Sequence, residues 1–294
     1  MTFFFHLSFH SSFIQLVNPR FYVSISSHFI ISRKMVAAVS QGTKSIRIAL
    51  LVCGTPIPPV AEAFGEYPAI FRALLLQGLE ELKKQNAIDQ DTDLVLGGFD
   101  VREDIYPQLN EWDAIMISGS ASNAYDDTPW INQLVEFVRQ IPRNKEAPKV
   151  IGICFGHQII GRAYNAQVSK STRGWELGWT STELNEAGQK FWQDTIMRIQ
   201  ELHQDIVHDV PEGFKLLAST EHTTNQSMIS DDGRIISTQG HPELTGPIMK
   251  EFIKFRVANG TFNKDFAETT LKVVDNPLDS VKVAARLIQF IQDE

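Results

Sequence analysis

Short apolar runs rich in Ile, Leu and Val recur along this chain, and most are followed by a stretch with helical apolar spacing. That alternation constrains the fold more than any other feature. "SIRIALLVC" (Ser45–Cys53) reads as a buried first strand ended by the Gly/Pro loop "GTPIPP". "YPAIFRALLLQGLEELKKQ" follows as a helix with a proline at its start. "TDLVLGGFD" supplies a second strand, and Ala114–Ile117 a third that runs into the small-residue loop "SGSASNA". A helix then opens at "DDTPWINQLVEFVRQI", with Thr128 as N-cap and Pro129 in the first helical position. "PKVIGIC" is a fourth strand and "GHQIIGRAY" its helix. From Gln167 to Ser230 the pattern is mixed, with short strands expected at "FKLLAST" and "SMIS". "RIISTQG" gives a further strand, leading through a turn into the helix of "HPELTGPIMKEFIKFRV", and "NPLDSVKVAARLIQFIQDE" is an amphipathic helix. Strands alternating with helices imply an α/β fold, an open and mostly parallel sheet with helices on both faces. No linker or internal repeat interrupts residues 45–294, which read as one domain.

Residues 1–44 stand apart as an N-terminal extension. The first 34 are rich in Phe, Ser and His, and no acidic residue occurs before Glu62. Arg20, Arg33 and Lys34 among many serines fit a mitochondrial transit peptide. The alternative is an over-long gene model with Met35 as the working start, in which case the protein is expected to be cytoplasmic. The formal net charge of −8 leaves no basic stripe for nucleic acid, and no run of 18 apolar residues suggests a membrane span. Two cysteines are too few for a disulfide scaffold and suggest a reducing compartment.

One of the two, Cys154, sits where "VIGICFGHQIIG" passes from strand to helix, with Gly152 and Gly156 two residues away on either side. The unpaired N–H groups and dipole of a helix start suit an anionic nucleophile. The flanking glycines remove the Cβ atoms that a sharp turn would bring into collision. This is the logic of the Gly-x-Ser-x-Gly elbow of hydrolases, with sulfur in place of oxygen. Cys53, in the first strand, reads instead as a small apolar core residue.

A cysteine nucleophile needs a base and a group to orient it. His241 in "STQGHPEL" leaves a strand at the sheet edge where Cys154 is expected, and Glu243 can turn back onto the second imidazole nitrogen. His157 competes by proximity but has no nearby carboxylate. His203, Asp205 and His208 in "HQDIVH" do not have a recognised metal-ligand spacing, and no metal is expected. His222 reads as a loop residue. The oxyanion of acyl chemistry requires donors, for which the backbone of Phe155 and the loop residues Gly119 and Ser120 are placed at the same edge.

Gly152-Ile153-Cys154-Phe155-Gly156-His157-Gln158 together with Gly240-His241-Pro242-Glu243 resembles the triad of class I glutamine amidotransferases. Within them the chain is similar to the GMP-synthase-like subgroup that includes plant γ-glutamyl peptidases. "ISGSASNAYDDTPWI", "GWELGW" and "HQDIVHDVPEGFKLLAST" support the resemblance, which covers roughly residues 45–260. Cys53-Gly54 departs from the polar residues many relatives carry there, and the segment from about Gly260 is less familiar. The resemblance implies a flavodoxin-like sheet with a small β insertion, and Cys154, His241 and Glu243 as nucleophile, base and orienting group. It also implies that Gln158 fixes the substrate's glutamyl head, with Trp175 and Glu176 lining its pocket. The implied reaction is hydrolysis of a γ-glutamyl amide such as glutamine, glutathione or a conjugate, through a thioester and without a cofactor. Two other readings stay open: a glutaminase subunit feeding a separately encoded synthetase, and a non-catalytic binding protein on the same scaffold.

Overall fold

The computed structural model describes residues 44–293; the extension at residues 1–44, apart from Lys44, lies outside them. Strand β1 (Ser45–Val52) shows why the chain needs two helical layers. Ile46, Ile48 and Leu50 join one apolar cluster, while Ala49 and Leu51 join another on the opposite face. A strand buried on both sides must be sandwiched. It pairs in parallel with β2 (Asp93–Asp100) and β3 (Ala114–Ile117), and β3 continues in parallel to β4 (Lys149–Ile153) and β11 (Ile235–Thr238).

Beyond β11 the sheet turns antiparallel through β10 (Ser227–Ser230), β9 (Phe214–Ser219), β6 (Glu176–Leu184) and β7 (Ile196–His203), giving the order β2-β1-β3-β4-β11-β10-β9-β6-β7. A separate two-stranded ribbon joins β5 (Val168–Lys170) to β8 (Asp205–Val207), with Lys170 opposite Asp205. The short strands expected at "FKLLAST" and "SMIS" are present as β9 and β10. Four others in the mixed region, β5 to β8, went unread in the sequence.

Helices α2 (Tyr67–Lys84) and α8 (Ser280–Gln292) cover one face of the parallel half, and α3 (Pro129–Gln140) and α4 (Phe155–Ala163) the other. Leu287, Ile288, Phe290 and Ile291 of α8 are buried, each worth about 1.5–3 kcal/mol relative to exposure. Thr128 and Pro129 open α3 where expected, although the threonine side chain makes no capping hydrogen bond. One boundary differs from the sequence reading. "GTPIPP" is not all loop, because Pro58 and Pro59 start helix α1 (Pro58–Phe64), their fixed φ suiting a first helical turn. Helices α5 (Glu186–Trp192), α6 (Gly246–Ala258) and α7 (Lys264–Leu271) complete the described α-helices. None of the described helices is long and apolar enough to cross a membrane.

Candidate active site

Strands β3, β4 and β11 are parallel neighbours, with Ile117 level with Gly152 and Ile153 level with Thr238. The loops leaving their C-terminal ends therefore converge, and they carry Gly119, Cys154 and His241. Cys154 adopts φ 52° and ψ −102°, a conformation costing about 1–3 kcal/mol for a residue with a side chain. The surroundings hold it there. Its N–H donates to the Thr238 carbonyl at 2.9 Å, and its own carbonyl accepts from Gln158 N–H at 3.1 Å.

The paired glycines now have a steric reason. A Cβ on Gly152 would lie 2.7 Å from the Gly156 carbonyl, and a Cβ on Gly156 would lie 2.4 Å from the Ile117 carbonyl oxygen. The turn is so tight that strand and helix backbones touch across it. Gly156→Ala is expected to lose about 1–3 kcal/mol of stability through overpacking against immovable backbone, read as a lower midpoint in denaturant.

His241 Nδ1 lies 2.7 Å from Glu243 Oε1, and both side chains are buried. Nε2 has no protein partner. Burial disfavours the imidazolium, but the charges of Cys154 and Glu243 outweigh it and hold the ring's pKa well above the usual histidine value. Gly119 packs against this ring, so that a Cβ there would meet His241 Cε1 at 3.1 Å and Cys154 Cβ at 3.9 Å. Cysteine, histidine and glycine loop thus share one spot. Ser120 is occupied differently: its hydroxyl donates to the Cys53 carbonyl at 2.7 Å and accepts from Ser122 N–H, pinning the loop to the end of β1. The backbone N–H groups of Gly119, Ser120 and Phe155 find no protein acceptor among the described residues and remain available to a ligand.

A cavity of about 210 Å³ opens onto Cys154 and His241 and is also lined by Gln158, Trp175, His203 and Arg256. Gln158 does not stand alone on this wall. Its Nε2 donates to Gln239 Oε1 at 3.1 Å and to the Asp205 carbonyl at 2.9 Å, while Gln239 Nε2 points at Cys154 Sγ from 3.4 Å. Gln239 was missed in the sequence; its only signal is its place two residues before His241 on the same strand end.

Trp175 lines the cavity, but Glu176 does not. It lies behind the wall, accepting from Thr220, Thr223 and Gln226 at 2.8 Å each and standing 3.2 Å from His203 Nε2. Its burial is offset by these donors and by the His203 charge, and its carboxyl pKa falls below the usual value. Glu201, also 3.2 Å from His203, is fully buried and shifted upward by that burial. Burial opposes charging of His203 too, yet the two carboxylates raise it to about 10. Because the folded pKa exceeds the unfolded value of about 6.5, this stabilisation is complete below pH 6.5 and fades as pH climbs toward 10. His203→Gln is expected to flatten the alkaline fall of the melting temperature; an unchanged slope would refute the assignment.

The remaining candidates are placed elsewhere. His157 bonds Ser237 Oγ at 2.8 Å, is pushed down to about 3 by burial, and is no partner for Cys154. His208 bonds Ser169 at 2.8 Å, and His222 packs beside Glu176. Cys53 is buried in the core with its thiol pushed up to about 12.

The family model for class I glutamine amidotransferases matches residues 74–258, more than half of the chain. The chain belongs to the class I glutamine amidotransferase family. It is 32% identical over 246 residues to a glutamine amidotransferase-like protein of Schizosaccharomyces pombe, covering 83% of this chain and 98% of that one. It is also 32% identical over 229 residues to gamma-glutamyl peptidase 4 of Arabidopsis thaliana, covering 75% and 85%. A crystal structure of a glutamine amidotransferase from Methylobacillus flagellatus superimposes with TM-score 0.63 at 18% identity, over 86% of this chain and 97% of the other. That likeness extends to the fold. In this amidotransferase-family chain the antiparallel strands β6 and β7 do more than widen the sheet. The His241 N–H donates to the Gln200 carbonyl of β7 at 2.8 Å, so the added strands seat the imidazole.

Proposed function

We propose that the protein hydrolyses γ-glutamyl amide bonds with Cys154 as nucleophile, His241 as acid and base, and Glu243 as the group that orients the imidazole. The observation that carries this reading is the 2.7 Å His241–Glu243 contact, which leaves Nε2 unpartnered at the cavity beside a strained Cys154. The raised His241 imidazole already holds the proton at Nε2, so Cys154 attacks as the thiolate and its sulfur bonds to the γ-carbonyl carbon. The carbonyl oxygen becomes an oxyanion facing the backbone N–H groups of Phe155 and Gly119. Collapse expels the amine, which takes the proton from His241 and leaves a thioester. Water then attacks, giving its proton to His241; the thioester C–S bond breaks, and the sulfur departs as the thiolate beside the imidazolium as glutamate leaves.

Gln239 supports the sulfur through its Nε2, and Gln158 fixes Gln239 in turn. The likeness to plant γ-glutamyl peptidases favours action on a γ-glutamyl compound by the chain alone. A glutamine-like electrophile is expected to label the protein once, at Cys154, with mass spectrometry locating the adduct. Labelling elsewhere, or none, would reject the nucleophile.

A further inference from the structure

The cavity wall carries an arginine that the proposed chemistry does not use. Phe252 and Arg256 stand one turn apart on α6 and both line the cavity. The Arg256 guanidinium lies 5.7 Å from the centre of the Trp175 ring, which packs edge-to-face on Phe262 at 5.1 Å. Phe262 is held in place by its N–H, which donates to the Arg256 carbonyl at 3.0 Å. Arg256 therefore rests on a braced aromatic shelf that limits where its fork can point. Its Nε is buried without a hydrogen-bond partner, and no carboxylate pairs with it among the described residues. In a chain with 35 acidic against 27 basic side chains, a cavity arginine left unpaired is a vacancy for an anion.

Lys170, another cationic side chain lining the cavity, stands across the β5–β8 ribbon from Asp205, which lines it too. A neighbouring ammonium and carboxylate match the α-carboxylate and α-amino group of a glutamyl head. Arg256, on a different element, is left over for a second carboxylate. Free glutamine has none to offer, but a γ-glutamyl peptide does, at the C-terminus of its leaving group.

We propose that Arg256, seated on Trp175, forms a leaving-group subsite that binds the C-terminal carboxylate of a γ-glutamyl peptide. The subsite rests on the γ-glutamyl hydrolase reading and makes its substrate class peptides with a free C-terminus.

The test compares γ-glutamyl-alanyl-glycine with its C-terminal amide. The full-length protein is expected to favour the acid by roughly tenfold or more in kcat/KM, the effect residing in KM. Arg256→Gln is expected to remove the preference, and Arg256→Lys to retain part of it. No preference in the parent protein, or an equal preference in Arg256→Gln, would overturn the subsite while leaving the hydrolase reading intact. Titration of the two peptides into Cys154→Ala protein keeps the outcomes separate. If the parent cleaves neither peptide, the hydrolase reading fails; tighter binding of acid than amide then still supports the subsite, and equal binding rejects it.

Discussion

Cys154→Ala is expected to lower turnover of γ-glutamyl substrates by on the order of 10⁴-fold or more, with the fold intact. No second thiol can replace it. Cys53 is buried at the end of β1, with its thiol pushed up to about 12 by burial. The substitution removes one sulfur from a position already held by backbone bonds to Thr238 and Gln158, so packing loses little. Circular dichroism and a denaturant midpoint near that of the parent would separate lost chemistry from lost structure. Turnover persisting above a hundredth of the parent rate would reject Cys154 as the nucleophile.

His241→Ala is expected to cost about 10²–10⁴ in kcat, the range for removal of a positioned acid–base group. It should also cost stability, for it leaves the Glu243 carboxylate buried without its partner at 2.7 Å. Breaking a buried pair from one side costs about 3–5 kcal/mol. The double variant His241→Ala/Glu243→Ala is therefore expected to recover much of the stability and none of the activity. Glu243→Ala alone should slow the reaction less than His241→Ala, since the imidazole keeps its seat through the backbone bond to Gln200. The reverse order of rates would refute these roles.

How much of this could be read beforehand depended on how each segment meets its surroundings. Strands β1, β3 and β4 were legible because helices cover both their faces, so nearly every side chain is apolar. The elbow was legible because its glycines answer a contact between backbones that no other residue tolerates. Strand β7 was not: Gln200, Glu201 and His203 are buried on it, and polar residues in a core erase the alternation that marks a strand. The partners of His203 and Gln200, Glu176 and the Val274 carbonyl, lie 27 and 74 residues away in sequence and come together only in the fold. The family resemblance of "GWELGW" implies that Trp175 and Glu176 both line the pocket, yet successive side chains at a strand's start face opposite ways, and Glu176 serves His203 from behind. Gln239 went unremarked since a lone glutamine carries no spacing signal.

The bond from His241 to β7 makes the proposed chemistry depend on strands that contribute no reacting atom. Asp279, at the head of α8, clasps β7 in turn through Arg198. Under mild denaturant, any partial release of this outer wing would unseat the imidazole while the parallel half stayed folded. Inactivation should accordingly precede global unfolding, and ligands filling the cavity should delay the first event more than the second.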